Sequence, residues 1–269
     1  MSVTAHLQRP PLKVLSDVIF ALFIRELKTR FGAYRLGLLW AFLEPMLFVL
    51  LITAIRSFRS YGGLLGGESN GIPFPLFFML GFVPYKFFST LLTQGAAAVR
   101  ANQGLFAYRQ VRPIDALLAR TLLEILISSS VLLIFMTLFW WFGFTVTIAQ
   151  PLKLVGVFML VTLLGSGMGL IICVGQLRIP ELNQIVPLLT RPLFFISGIF
   201  FSINDIPAQY HHYLLWNPIL HAIELVRNAC YSSYNIDSVS WGFLAISALV
   251  TAFFGLAMYR LDWKQMVAS

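Results

Sequence analysis

Few residues in this chain have the types and spacing that chemistry requires. His221 and Glu224 stand three apart, which puts both on one face of a helix, but a metal would need further ligands and none are spaced for it. The pair reads instead as hydrogen-bonding groups at an interface. The run Gly165-Ser166-Gly167-Met168-Gly169 has the outline of a nucleotide or nucleophile motif, yet it lies inside an apolar stretch with no strand before it. Gly165 and Gly169 fit small-xxx-small helix packing. Ser, His and Asp all occur in the polar segments, and nothing in the sequence positions them as a triad. No G-x-x-x-x-G-K-[ST] occurs, so any dependence on ATP must come from a partner.

Ionisable residues inside apolar runs say more, because burying a charge costs several kcal/mol unless it meets water, a partner or a substrate. Glu44, Lys86 and Glu124 are such residues. Arg120, one turn before Glu124, is its candidate partner, and Glu44 either snorkels or bonds to a neighbouring helix. Lys86, Arg56 and Arg59 form a candidate cationic pathway suited to an anionic cargo. Most of the chain's aromatic residues read as membrane-interface belts; a few, with Tyr85 the candidate beside Lys86, could stack on sugar rings passing through.

The elements that must position these residues follow from composition. Of 269 residues, 58% are hydrophobic and 11% charged, with a mean hydropathy of +0.82. That is the profile of an all-α membrane protein with several spans. The formal charge of +8 does not indicate nucleic acid, since most cations flank apolar spans. Cys173 and Cys230 form no C-x-x-C and no disulfide framework. The segment MSVTAHLQRPPLKVLSD has no signal-peptide core, so the first span is expected to act as the insertion signal. Apolar length predicts six spans, at about 38–58, 73–99, 114–143, 152–177, 183–203 and 239–260.

Lys and Arg cluster before span one, between spans two and three, between spans four and five (Arg178 and Arg191) and after span six. The positive-inside rule therefore puts both termini in the cytoplasm. Before span one, Phe20, Phe23, Ile24, Leu27 and Phe31 recur at helical spacing, while Arg25, Glu26, Lys28 and Arg30 fall mostly elsewhere. This predicts an amphipathic interface helix within residues 1–37, ahead of a transmembrane domain over 38–269. Residues 204–238 suit short helices that dip into the outer leaflet and return, a re-entrant extracytoplasmic segment between spans five and six.

Three stretches carry a family resemblance: RELKTRFGAYRLGLLWAFLEP (25–45), NQGLFAYRQVRPIDALLAR (102–120) and WNPILHAIELVR (216–227). Together they resemble ABC-2 type permeases, nearest to the KpsM-like capsular polysaccharide exporters, over nearly the whole chain. The resemblance implies a homodimer in the bacterial inner membrane with two ABC ATPase subunits below it. ATP and Mg would then bind only to the partner ATPase, and this chain would be a transport channel rather than an enzyme. It further implies an interface helix that includes Arg25, Glu26, Lys28 and Arg30. A coupling helix at about 104–112 would offer Leu105, Phe106 and Tyr108 as knobs and Arg109 and Arg112 as charged contacts. The cargo expected is a lipid-linked, acidic polysaccharide, handed on to periplasmic and outer-membrane export proteins. Alternatives are an O-antigen or teichoic acid exporter, an ABC-2 small-molecule exporter, or a membrane-embedded transferase.

Overall fold

The computed structural model describes residues 10–32, 37–59, 67–106 and 110–268. The described helices are α1 (Pro11–Phe31), α2 (Gly37–Arg59), α3 (Phe74–Ala96), α4 (Pro113–Trp141), α5 (Pro151–Gly175), α6 (Leu182–Ile196), α7 (His211–Leu214), α8 (Pro218–Cys230) and α9 (Trp241–Ala268). Strands β1 (Glu68–Ser69) and β2 (Ile72–Pro73) form a small antiparallel hairpin. Asn70 and Gly71 at its tip both have positive φ, the conformation that lets an Asn-Gly pair join two strands in two residues.

Five helices, α2, α3, α4, α5 and α9, are long and apolar enough to cross a membrane. Their ends fall within a few residues of five of the expected spans, except that α9 runs on to Ala268. The expected span 183–203 is different. Its helix, α6, stops at Ile196 after 15 residues, and at 1.5 Å per residue that reaches only about 22 Å of a core about 30 Å thick. Pro187 and Pro192 inside α6 remove two backbone donors, and a turn with Gly198 at positive φ follows its end.

Helix α3 is the axis of the bundle. In its most apolar window 78% of residues are buried, against 17% for both α2 and α9. It packs against α4, α5 and α8, with lesser contacts to α2 and α6. Close approach on the α5 side depends on the glycine run noted above. A Cβ on Gly165 would lie 2.8 Å from Leu91 Cβ, one on Gly169 would lie 3.0 Å from Gly95 Cα, and one on Gly167 would lie 2.7 Å from the Ala252 nitrogen. Gly165 and Gly169 thus seat α5 on α3 while Gly167 seats it on α9, so the run is a packing device.

The 3-10 helix Arg100–Leu105 follows α3. Pro113 is then the first residue of α4, where its missing N–H costs nothing, and the Asp115 carboxylate accepts from the Arg112 N–H at 2.8 Å. At the opposite end of the bundle α8 is almost wholly buried. Its start explains the sequence Trp216-Asn217-Pro218: the Asn217 side chain accepts from the Ile219 N–H at 3.0 Å and donates to Ser197 Oγ at 2.9 Å, with Pro218 in the first turn.

Candidate functional site

Glu44, two places along from the Phe42 that packs on the core, and Lys86, two places after Pro84, meet across the contact of α2 and α3. Lys86 Nζ lies 2.5 Å from Glu44 Oε1, with 43% and 51% of the two side chains exposed. The pair forms the shared wall of two cavities. The larger, about 310 Å³, is lined by Glu44, Lys86, Tyr85 and Arg191, with Phe48, Phe82, Phe194 and Phe195 among its apolar walls. Those rings are interlocked: Phe48 stacks on Phe82 with centroids 5.0 Å apart, and Phe194 meets Tyr85 edge to face at 5.2 Å. The Tyr85 hydroxyl donates to the Thr190 carbonyl, which ties α6 to α3 beside Arg191. The smaller cavity, on the other side of the pair, is lined by Arg30, Glu44, Lys86 and Glu124.

Glu124 accepts from Arg30 on α1, and Arg120 turns to Glu26 on α1 with its Nε at 2.9 Å. The expected Arg120–Glu124 pair is therefore replaced by two bridges between helices. Charges one turn apart on α4 are better satisfied when each meets an opposite charge on a helix that must be held there anyway. Arg25 also bonds to Asn102 in the 3-10 helix, and Asn102 Nδ2 donates to Glu26 at 3.1 Å. Arg25, Glu26 and Arg30 of α1 thus face the protein, the first two in one network with Asn102 and Arg120 and the third on Glu124, while Lys28 and Phe20 are exposed. A simple reading of amphipathicity would have turned those charges toward solvent.

The expected coupling residues divide. Leu105 is half-buried at the end of the 3-10 helix and Arg112 is exposed just before α4. Phe106, only 5% exposed, packs in a cluster with Val99, Leu117, Leu170, Cys173 and Met266. Its ring is committed to this chain's own core, so it anchors the segment and is not presented as a knob. Tyr108 and Arg109 lie outside the described residues, as does the side chain of Arg59.

Tyr85 and Lys86 share the larger cavity, and Arg56 is not brought to them. The Arg56 guanidinium lies 4.0 Å above the Phe74 ring. Twelve residues of α2 separate it from Glu44, about 18 Å along the helix. Lys86, a candidate member of the cationic pathway, is paired with Glu44. Sequence reasoning missed Arg191, which it counted among the residues of a connecting loop; the structure puts it inside α6, facing the larger cavity. The signal was present in the apolar residues on both sides of it, with Pro187 and Pro192 as flanking breaks.

A third polar group closes the far end. Arg227 and Glu224 are both 0% exposed and 3.0 Å apart. Arg227 also donates to the carbonyls of Phe77, Ile199 and Phe201 and lies 3.5 Å from the Phe77 ring centroid, while Glu224 accepts from the Tyr234 hydroxyl at 2.7 Å. Burial pushes the Glu224 carboxyl up, and Arg227 with these donors pulls it back. His221 does not bond to Glu224. Its Nε2 donates to the Leu215 carbonyl at 2.8 Å and its Nδ1 accepts from the Ser240 N–H at 3.0 Å. Burial lowers its pKa, opposed by the bond to Leu215. Both bonds are met by one neutral tautomer, and a second ring proton would face the Ser240 N–H. No cluster that could hold a metal occurs among the described residues.

Membrane-length helices enclosing a charged, aromatic-walled cavity define a polytopic membrane protein whose internal polar groups belong to two distinct places, one open and one sealed. The ABC-2 type transporter family model matches residues 17–231. The chain belongs to that family. It is 41% identical over 261 residues to the polysialic acid transport protein KpsM of Escherichia coli, covering 97% of this chain and 99% of that one. It is 27% identical over 249 residues to the capsule polysaccharide export inner-membrane protein BexB of Haemophilus influenzae, covering 93% and 92%. Over 92 residues it is 34% identical to the O-antigen export system permease protein RfbA of Myxococcus xanthus, covering 33% and 31%.

Proposed function

We propose that this chain is the membrane-spanning subunit of an ATP-driven exporter that carries a capsular polysaccharide across the bacterial inner membrane. The observation that carries the reading is the end-to-end likeness to KpsM, a polysialic acid transport protein. The cavity between α2, α3 and α6 supports it, because cations beside aromatic faces suit an acidic glycan. ATP hydrolysis belongs to a separate ATPase subunit, since the chain has no P-loop.

The finer architecture is part of the same reading. Two copies of the chain form a homodimer, two ATPases sit beneath it, and both termini are cytoplasmic. Helix α6 serves as a shortened fifth span, α7 and α8 dip into the outer leaflet, and α1 lies along the cytoplasmic interface. The polymer is acidic and anchored to a lipid, and envelope proteins receive it. Supporting the coupling role is the network from Arg25, Glu26 and Arg30 to Asn102, Arg120 and Glu124, which joins α1 to the segment before α4. A push on that segment by an ATPase would reach α1 and α4 together. Such a push changes the channel only through differing affinity for its two states.

The test is deletion of the gene in its host, with acidic polysaccharide measured inside and outside the cells. Cytoplasmic accumulation with a bare surface is expected. Unchanged capsule with loss of surface O-antigen would favour the second reading, an O-antigen exporter, to which the partial likeness to RfbA points.

A further inference from the structure

Charge balance in the larger cavity leaves one cation over. Lys86 is answered by Glu44. Across that pair, in the smaller cavity, Arg30 is answered by Glu124. Arg191 has no ion-pair partner among the described residues, although it sits within an apolar helix that holds Leu188 and Phe195 exposed on its surface. Arg191 is exposed on the wall of that cavity, so its guanidinium is open to an anion that enters. Its position is also fixed, because the Tyr85 hydroxyl bonds to the carbonyl of the residue before it. On the same wall Phe48, Phe82, Phe194 and Phe195 offer apolar faces beside the charge.

We infer that Arg191, assisted by Lys86, is an anion-binding subsite for an amphiphile: a phosphate or carboxylate group carried next to an apolar chain or a sugar face. This rests on the exporter reading and names the chemistry that its cavity recognises. Glu44 is the internal competitor. It holds Lys86 while the site is empty and yields it when an external anion arrives, so the bound anion replaces one carboxylate and gains one guanidinium. The fork geometry of Arg191 suits two oxygens of one phosphate or carboxylate.

The test uses the purified full chain in detergent and native mass spectrometry. Lysophosphatidylglycerol is titrated as the anionic lipid, lysophosphatidylcholine as the control with the same tail, and a sialic acid tetramer as the soluble acidic glycan. Tighter binding of an anionic probe than of lysophosphatidylcholine is expected, with Arg191→Gln weakening it by about tenfold, the loss of one charge-assisted contact. Glu44→Gln, which frees Lys86, should strengthen it several-fold. The opposite signs keep the result apart from general damage. Binding of the lipid alone would place the anion in a lipid anchor and binding of the tetramer alone would place it in the glycan; either supports the subsite. Equal binding of both lysolipids, indifference to Arg191→Gln, or weakening by Glu44→Gln would overturn it. So would loss of the assembled oligomer in Arg191→Gln with binding unchanged. The exporter reading stands or falls separately on surface polymer in the gene deletion.

Discussion

Arg227 and Lys86 each bring a positive charge next to a glutamate inside an apolar bundle, and the protein treats the two in opposite ways. Arg227 is sealed: with Glu224 it is wholly buried, and its two terminal nitrogens bond to three backbone carbonyls besides the carboxylate, while its Nε meets no acceptor among the described residues. Lys86 and Glu44 bond only to each other among the interactions described for their side chains, and both remain about half exposed on cavity walls. An enclosed pair held by this many bonds to surrounding backbone acts as a fixed joint between α3, α8 and the turn after α6. A half-open pair can be separated and remade. The difference teaches that an ion pair in a membrane helix bundle serves construction or exchange according to how many other groups hold its members.

That contrast can be broken or sharpened by substitution. The largest effect is expected for Arg227→Met, which strands Glu224 in an apolar surround and should cost about 3–5 kcal/mol. The measurement is thermal loss of the monodisperse peak in size-exclusion chromatography, and a variant as stable as wild type would dissolve the contrast. Gly167→Leu should follow at about 1–3 kcal/mol, because even its Cβ meets the α9 backbone at 2.7 Å. Glu26→Ala removes the acceptor of both Arg120 and Asn102, so a loss of about 1–2 kcal/mol is expected, together with faster hydrogen exchange in residues 100–106. A smaller change is expected with acid. His221 is held neutral with a lowered pKa, so the unfolded chain binds its proton first and stability falls as pH drops below about 6.5. Replacing His221 by Gln should flatten that part of the melting-temperature profile. The smallest effect belongs to Glu44→Gln with Lys86→Gln, expected within about 1 kcal/mol of wild type as for other half-exposed pairs. A loss as large as that of Arg227→Met would show that the open pair is also a joint.

Much of the frame was legible in the sequence. Five spans are long, mainly apolar runs, which only helices can satisfy in lipid, and their ends are fixed by Pro113, Pro151 and polar flanks. The α6 length was misjudged because apolar residues continue to Phe201, past the point where backbone turns at Gly198 end the helix. The charged residues were found and their partners were not. Arg120 and Glu124, one turn apart, satisfied a local rule that the neighbouring helix overruled.

The sequence by itself therefore determined that the chain spans a membrane as helices, that it carries no P-loop motif, and which few side chains carry charge into the apolar bundle. Burial of apolar length and the absence of a P-loop are local properties, readable one segment at a time. The tertiary structure alone decided that Glu44 answers Lys86, that α1 turns Arg25, Glu26 and Arg30 inward, that Phe106 is core, and that Arg191 stands on a cavity wall with no answering carboxylate among the described residues. The reason is physical: the energy of a charge in low dielectric depends on which opposite charge or dipole lies within a few ångströms. Residues separated by 42 or 94 positions along the chain meet there only after the helices have packed.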